Sequence, residues 1–304
     1  GEAEHLDPAP GGPARLAPLL AAMRPHQWLK NLLVFLPALA AHAPGAVVPS
    51  LLAFLCFGLT ASSVYLLNDL LDLEADRAHP RKCRRPFASG AAPPLAGIAA
   101  APALLAAAAG LALATLPAAF LGVLGLYYAA TLAYSLLLKR KLVIDIWTLA
   151  GLYTLRILGG AAATGLALSP WMLGFSMFLF LALAAVKRQA ELVDRRAAGG
   201  AVSGRAWRVE DLPILPPMAL AAGYAAVLVF ALYIASAKVQ ELYSLPEALW
   251  AVCPLLLYWI SRMVMVAHRG GMTDDPILFA LRDRTSLATM ALAGLAILAA
   301  WGLG

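Results

Sequence analysis

The stretch from Val47 to Asn68 reads VVPSLLAFLCFGLTASSVYLLN, and none of its 22 residues is charged. The residues that follow read DLLDLEADR and bring four carboxylates, at Asp69, Asp72, Glu74 and Asp76, into a short segment. An uncharged run of about 20 residues is long enough to cross the hydrocarbon core of a bilayer as a helix. The pattern therefore predicts a membrane-spanning helix that ends in an acidic segment.

The rest of the chain repeats this apolar character. Of its 304 residues 62% are hydrophobic and 13% charged, and the mean hydropathy is +0.78, which is outside the range of soluble globular domains. We predict an all-α integral membrane protein with about nine transmembrane helices. Apolar windows between turn residues place these helices near 18–43, 47–73, 93–114, 117–138, 142–165, 169–194, 212–236, 246–268 and 283–303.

The chain is expected to form one transmembrane transferase domain over residues 18–304. Residues 1–17 are rich in Pro, Gly and Ala, and we interpret them as a flexible N-terminal segment or the remnant of a linker. The first residue is not Met, which leaves open an upstream fused domain that is not in this chain.

Basic residues set the expected orientation. With the N-terminus placed in the cytoplasm, 21 of the 23 Lys and Arg fall on the cytoplasmic side of the nine predicted helices, and only one falls on the opposite side. This asymmetry is the positive-inside signal of a multi-pass protein, here expected in a bacterial plasma membrane. We therefore interpret the net charge of +6 as topology and anion binding, and we expect no nucleic-acid partner.

The acidic segment predicts a metal site. On a continuous helix, Asp72 lies about 60° and Asp76 about 20° from Asp69, so three carboxylates share a face with Asn68 at its edge, while Glu74 points about 140° away. Like charges at this spacing repel unless a cation neutralises them. Oxygen ligands suit Mg²⁺, which typically binds one or two carboxylates together with substrate phosphates. The alternative is a solvated helix end without a ligand.

A basic stretch follows the acids and contains Arg77, Lys82 and Arg85. Such a run can serve topology alone. Directly beside three carboxylates, we favour a cradle for phosphate groups around the metal.

The order N-D-x-x-D-x-x-x-D from Asn68, followed by Arg85-Pro86 and Ser89-Gly90, resembles the first motif of the UbiA superfamily of intramembrane transferases. The resemblance extends to Tyr134, Lys139 and Asp145 around the loop between helices 4 and 5. It implies nine helices around a central cavity that opens to the cytoplasmic side.

The second motif departs from that superfamily, which usually carries paired aspartates on helix 6. Here the helix ends KRQAELVD, with Lys187, Glu191 and Asp194 on one face and Arg188 adjacent. We interpret Lys187 and Arg188 as fixed positive charges that partly replace a second metal ion. A helix-end salt bridge between Lys187 and Glu191 is the structural alternative.

The stretch RPHQWLKN, residues 24–31, together with the altered second motif and Asp274-Asp275-Pro276, resembles the decaprenyl-phosphate phosphoribosyltransferase branch. That resemblance implies transfer of 5-phosphoribose from phosphoribosyl diphosphate (PRPP) to a polyprenyl phosphate, with Mg²⁺ as cofactor. An aromatic prenyltransferase with a prenyl diphosphate donor is the alternative within the superfamily. A transporter, which would also bury charges in a helix bundle, is the alternative from another class.

Two charged residues within predicted helices leave alternatives open. Asp145 could position a ribose hydroxyl or a second cation, or pair with Lys139 or Lys141. Arg156 lies eleven residues further on the same face and could bind a donor or lipid phosphate, or bond to helix-end carbonyls or Asp145.

The candidate site residues fall into three groups. The candidate catalytic residues are Asp69, Asp72, Asp76, Lys187 and Arg188. The candidate metal ligands are Asn68, Asp69, Asp72 and Asp76. The candidate substrate-binding residues are Gln27, Lys30, Asn31, Arg77, Lys82, Arg85, Tyr134, Lys139, Asp145, Arg156, Glu191 and Asp194.

Overall fold

The computed structural model describes residues 16–78, 82–197, 199, 206–272 and 275–302. Within these ranges all regular structure is helical, and no strand occurs. Asp274 and the first 15 residues of the predicted N-terminal segment lie outside the described residues.

Most of the predicted spans are present as long helices. In the described part of the chain, eight helices are long and apolar enough to cross a membrane, which confirms a multi-pass membrane protein. These spans are Pro44–Leu71, Pro94–Thr115, Ala118–Leu136, Ile144–Thr164, Pro170–Ala197, Val209–Ile234, Pro246–His268 and Arg284–Trp301. Nine spans around a central cavity stay a prediction.

The first predicted helix, 18–43, is not continuous, so that prediction was wrong. The segment divides into helix α1 (Leu16–Ala22), a 3₁₀ helix (Pro25–Phe35) and helix α2 (Leu36–Ala40). The break lies at Arg24, whose φ of 53° is left-handed. Pro25 follows directly, lacks a backbone N–H and disfavours helical geometry in the residue before it.

The chain divides into two compact units, each described by itself. Unit 1 comprises residues 1–129 and 162–165, and unit 2 comprises residues 130–161 and 166–304. The expectation of a single domain over 18–304 stays a prediction.

In unit 1, helix α3 (Val47–Leu71) packs against helix α5 (Pro94–Thr115) and against the 3₁₀ helix. Trp28 joins the 3₁₀ helix to α3, because its indole Nε1 donates to Ser62 Oγ at 3.0 Å. Its ring lies over Gly58, where a Cβ atom would come within 2.6 Å of ring carbon. Only glycine at this position allows the two helices to approach so closely.

The basic loop of unit 1 is anchored in a hydrophobic cluster. Phe87 is fully buried against Leu66 of α3 and Ala22 of α1. A few residues on, Gly90 has a φ of 79°, a left-handed conformation that favours glycine over residues with a side chain. The buried ring and the turn together fix the loop at the end of α3, where the acidic segment begins.

In unit 2, helix α8 (Pro170–Ala197) packs against helix α9 (Leu215–Ile234) and helix α11 (Val252–His268). Two helices follow, and each begins with an aspartate whose carboxylate accepts a hydrogen bond from backbone N–H. Asp275 caps helix α12 (Pro276–Ala280) in this way.

The second cap, Asp283, opens helix α13 (Arg284–Trp301) and also accepts from both terminal nitrogens of Arg262, at 2.6 and 3.0 Å. The Arg262 hydrogen bonds lower the pKa of the Asp283 carboxyl below its usual value. Because the pKa is lowered in the folded protein, the pairing stabilises the fold above about pH 4 and is lost as the pH falls through the lowered value.

The contact between Trp28 and Gly58 predicts that Gly58→Ala lowers the melting temperature of the detergent-solubilised protein. The added methyl group must displace the indole ring, which costs about 1–3 kcal/mol. Gly110→Ala is the matched control, because Gly110 also lies inside a helix of unit 1 and a Cβ there meets nothing within 4 Å. Equal melting temperatures for the two variants would contradict the close approach of the 3₁₀ helix to α3.

Candidate active site

The acidic segment is built differently from the predicted continuous helix. Helix α3 ends at Leu71, Asp72 forms its C-cap with a ψ of 10°, and the short helix α4 (Leu73–Ala78) carries the remaining acids. The predicted uninterrupted helix was therefore wrong, although Asp69 and Asp76 lie close enough together to bind one nitrogen of Arg85. Backbone hydrogen bonds from Asp72 N to Asn68 O at 2.9 Å and from Asp76 N to Asp72 O at 2.8 Å continue across this interruption.

Arg85 is the side chain that joins the two halves of the acidic segment. Its Nη1 lies 3.2 Å from Asp69 Oδ1 and 2.5 Å from Asp76 Oδ2. Arg24 Nη2 donates to the same Asp69 oxygen at 2.7 Å, and Lys82 Nζ lies 4.0 Å from Asp76 Oδ1. Both carboxylates are buried, with 3% and 2% of their side-chain surface exposed. Two aspartates and three cations thus form one cluster in unit 1.

The donor set of this cluster suits a metal ion shared with a phosphate ligand. Asp69 Oδ2 is buried and has no hydrogen-bond partner among the described residues. Asn68 and Asp72, the other predicted ligands, are half-buried on either side of it in sequence. No group of three or more His, Cys, Asp or Glu in the described ranges is arranged to hold a metal by itself. Mg²⁺ commonly completes its coordination with substrate oxygens and water, so the residues fit this ion.

Two charged neighbours lie outside the buried part of the cluster. Glu74, which helix geometry predicted to point away from the metal ligands, is exposed. Arg77 is also exposed, and its role in phosphate binding stays a prediction.

The N-terminal candidates lie on the 3₁₀ helix, and this changes which of them share a face. In a 3₁₀ helix, residues three apart eclipse one another, so Gln27 and Lys30 share one row. Asn31 belongs to the next row and is 1% exposed. Its predicted position on the same face as Gln27 and Lys30 was wrong, because that expectation assumed an α-helix. Arg24, absent from the predicted site residues, contributes the shortest contact to Asp69.

The second motif forms a buried network in unit 2. Arg188 is fully buried, and its Nη2 lies 2.6 Å from Asp145 Oδ2. Its Nη1 donates to Glu191 Oε2. Trp207 Nε1 donates to Asp145 Oδ1 at 2.7 Å. Asp145 therefore contacts Arg188 and Trp207. The pairing with Lys139 or Lys141 that the sequence analysis considered was wrong.

Lys187 also has a different partner from the one considered. Its Nζ lies 3.6 Å from Asp275 Oδ2, at the start of helix α12. The salt bridge from Lys187 to Glu191 is replaced by one from Arg188, which lies one turn before Glu191 on α8. Asp194, at the end of the motif, is exposed.

Arg156 is held within helix α7 (Ile144–Thr164) and is 5% exposed. Its Nη1 donates to the backbone carbonyl of Leu152 at 2.6 Å, and its guanidinium carbon lies 5.6 Å from the centroid of the Tyr153 ring. The alternatives named from the sequence were helix-end carbonyls and Asp145, and the observed acceptor is instead a carbonyl within the same helix, four residues earlier. Tyr134 and Lys139, near the preceding turn, are half-buried.

Trp207 was missed by sequence reasoning, and so was the structural role of Asp275. Trp207 lies in a polar stretch between two long helices yet is only 4% exposed. A large aromatic residue in a charged loop is the signal that could have identified it. Asp275 precedes a proline, which is the sequence pattern of a helix N-cap.

Three relatives of known sequence resemble this chain over most of its length. The uncharacterized protein y4nM of Sinorhizobium fredii is 39% identical over 88% of this chain and 52% of its own, so the chain spans about half that relative's length. The nodulation protein NoeC of Azorhizobium caulinodans is 36% identical, over 88% of this chain and 87% of its own. The decaprenyl-phosphate phosphoribosyltransferase of Mycobacterium tuberculosis is 35% identical over 95% of both chains.

Two solved structures share the fold. A digeranylgeranylglyceryl phosphate synthase superposes with a TM-score of 0.65 and 16% identity, over 94% of this chain and 98% of its own. A UbiA homologue from Archaeoglobus fulgidus, bound to GPP and Mg²⁺, gives a TM-score of 0.66 at 15% identity, over 92% of this chain and 99% of its own.

The sequence profile of the UbiA prenyltransferase family matches residues 31–280, which include four of the five members of the acidic cluster of unit 1 (all but Arg24) and the Arg188 network of unit 2. This match covers most of the chain and agrees with the relatives and with the fold. The chain therefore belongs to the UbiA prenyltransferase family.

Proposed function

We propose that this protein transfers 5-phosphoribose from PRPP to a polyprenyl phosphate, with release of diphosphate and with Mg²⁺ as cofactor. The observation that carries the proposal is the pairing of Arg24 and Arg85 with buried carboxylates in unit 1. A relative that is 35% identical over nearly its whole length is named a decaprenyl-phosphate phosphoribosyltransferase, which supports this choice of substrates.

The arginines of the cluster suit a diphosphate group. A guanidinium presents several N–H donors in a plane and binds phosphate oxygens in pairs, whereas an ammonium acts as a point charge. Arg85 and Arg24 are half-buried, with 28% of each side chain exposed, so each can contact a ligand while it remains on the aspartates. We assign the donor diphosphate to these two residues, with Lys82 beside them.

The carboxylates of the same cluster suit the metal. We assign Asp69, Asp72 and Asp76 as its ligands, with Asn68 at the edge, because the buried Asp69 Oδ2 otherwise lacks a partner. When bound, Mg²⁺ supplies positive charge that stabilises the leaving diphosphate. A structural neighbour was solved with Mg²⁺ and GPP bound, which supports this assignment.

The protein contributes to the reaction mainly by positioning the two substrates and by stabilising negative charge. The bond between the anomeric carbon and the diphosphate oxygen breaks with its electron pair on the diphosphate, through an oxocarbenium-like state. An oxygen of the lipid phosphate forms the new bond. That oxygen is ionised at neutral pH, so no side chain is needed as a general base. The cations of the cluster stabilise the charge that develops on the leaving group.

The acceptor is assigned to the lipid phase because the long helices offer apolar surface to an isoprenoid tail. We assign Lys139 and Arg156 of unit 2 to its phosphate, and we place the chain in a bacterial plasma membrane with the basic helix ends in the cytoplasm. Transfer of a prenyl group to an aromatic acceptor is the second candidate, favoured by the family's name and by the neighbour bound to GPP.

Donor and acceptor are tested together by mass spectrometry of lipid products made by the purified protein with Mg²⁺. We expect a phosphoribosylated lipid from PRPP and polyprenyl phosphate, and no product when the dephosphorylated polyprenol replaces the acceptor. A prenyl diphosphate with an aromatic acceptor serves as the competing pair. Product from that pair alone would overturn the proposal in favour of an aromatic prenyltransferase.

Asp69→Asn should abolish Mg²⁺-dependent donor binding and lower turnover by at least about 100-fold, because it removes a charged metal ligand. Glu74→Gln is the matched control and should change neither quantity appreciably, since Glu74 is exposed on the next turn. Donor binding with and without Mg²⁺ is measured by calorimetry. Equal losses in the two variants would contradict the assignment of the metal ligands.

Arg85→Gln should weaken donor binding about tenfold or more and also lower the melting temperature, because two buried carboxylates lose their shared cation. Arg84→Gln changes an adjacent exposed residue and should affect neither. Adding Asp76→Asn to Arg85→Gln should restore part of the melting temperature without restoring donor binding. If the single Arg85 variant binds donor normally, Arg85 has only a structural role.

A further inference from the structure

Helix α7 of unit 2 carries an apolar groove that neither the acidic cluster nor the Arg188 network uses. The groove has a volume of about 320 Å³. Most of its lining belongs to α7, with Ala130 near the end of helix α6 (Ala118–Leu136) and Met177 on α8. All of these residues belong to unit 2, so the groove is complete within that unit.

The groove follows one stripe of α7. Trp147, Gly151 and Leu158 lie within about 40° of one another around the helix axis, and Trp147 and Gly151 are exposed. Arg156 lies about 180° from Trp147 and is buried. The groove therefore lies on the opposite side of α7 from the buried cation that we assigned to the acceptor phosphate.

Two threonines in the lining do not make the groove polar. Thr148 Oγ1 donates to the carbonyl oxygen of Ile144 at 2.7 Å, and Thr154 Oγ1 donates to that of Ala150 at 3.1 Å. Both hydroxyl groups are thus used within α7 itself. The surface that remains for a ligand is apolar and suits a hydrocarbon chain.

The turn between α6 and α7 combines positive charge with apolar side chains. Arg140 and Lys141 are exposed, and so are the three apolar residues that follow, Leu142, Val143 and Ile144. Val143 has a φ of 65°, which is unusual for a β-branched residue, and Ile144 N donates across it to Leu142 O at 2.7 Å. This tight turn places two cations directly beside three exposed apolar residues.

The turn lies at a membrane surface, because it joins a span that ends at Leu136 to a span that begins at Ile144. Basic residues at such a position attract the phosphate groups of anionic lipids. The nearest acid in sequence, Asp145, is fully buried and lies 2.6 Å from Arg188. The positive charge of the turn is therefore complementary to an anionic headgroup.

The length of the groove matches one leaflet of a bilayer. From Trp147 to Leu158, α7 rises about 16 Å, and half of the hydrocarbon core is about 15 Å thick. Trp147 lies at the end of the groove nearest the turn, where an aromatic side chain suits the interface between headgroups and chains. An acyl chain that begins beside the turn would follow the groove as far as the bilayer midplane.

We propose that this surface binds one anionic phospholipid of the bilayer, with its phosphate at Arg140 and Lys141 and one acyl chain in the α7 groove. The polyprenyl phosphate acceptor fits this surface less well, because Arg156 faces away from the groove. The bound phospholipid is not a substrate, so the inference does not depend on the proposed function.

Gly151→Leu tests the acyl chain. A Cβ at Gly151 meets nothing within 4 Å, so a leucine can fill the groove without a clash at the helix. Gly294→Leu is the matched control, because Gly294 also lies inside a long helix of unit 2 and a Cβ there meets nothing within 4 Å.

Binding is measured by native mass spectrometry of the purified protein with added phosphatidylglycerol. We expect one tightly bound lipid on the wild type and on Gly294→Leu, and about tenfold weaker binding to Gly151→Leu. Equal binding by the two glycine variants would overturn the assignment of the groove.

The double variant Arg140→Gln, Lys141→Gln tests the headgroup and should bind phosphatidylglycerol about tenfold more weakly or worse. The double variant Arg282→Gln, Arg284→Gln is the matched control, because both residues are exposed cations at the start of another span of unit 2. We expect this control to bind like the wild type. Equal weakening by the two double variants would show only general attraction and would overturn the headgroup site.

The identity of the lipid is tested on the wild type by its melting temperature. Phosphatidylglycerol should raise this temperature, and phosphatidylcholine with the same acyl chains should not. An equal rise with both lipids would overturn the anionic headgroup. Displacement of phosphatidylglycerol by an equimolar amount of polyprenyl phosphate would overturn the proposal in favour of the acceptor tail.

Discussion

The guanidinium of Arg85, bonded to both Asp69 and Asp76, is the interaction on which the rest of unit 1 depends. Two carboxylates buried in a membrane protein cannot remain charged and close together without a cation between them. Arg85 must therefore be held accurately, and Phe87, buried two residues later, holds it. Arg85 is placed between the two carboxylates by the burial of Phe87, by the end of α3 and by α4.

The membrane class, the long spans and the importance of the acidic segment could be predicted, because they follow from uncharged runs and from spacing along a helix. The partners of individual charges could not. Arg24 meets Asp69 from 45 residues away, and Trp207 meets Asp145 from 62 residues away. Such pairings depend on how helices pack, and a helix period carries no information about them. The exchange of partners between Lys187 and Arg188 has the same origin.

The two charged clusters differ in which of their charged groups are buried and which are exposed. In unit 1 the cations lie at the partly exposed edge and the carboxylates are buried, so positive charge is presented to a ligand. In unit 2 the cation is enclosed and a carboxylate is presented. A sequence with similar numbers of acids and bases in the two motifs can thus offer opposite charge, because burial decides which group remains available.

The 3₁₀ helix from Pro25 to Phe35 has a consequence for reach. A 3₁₀ helix rises about 2.0 Å per residue and an α-helix about 1.5 Å, so its 11 residues extend about 22 Å where an α-helix would extend about 16 Å. The first segment is therefore longer than an α-helix with the same number of residues, although it contains no long α-helix. Its thinner cross-section also lets the backbone lie close to α3, and the indole of Trp28 fills the space over Gly58.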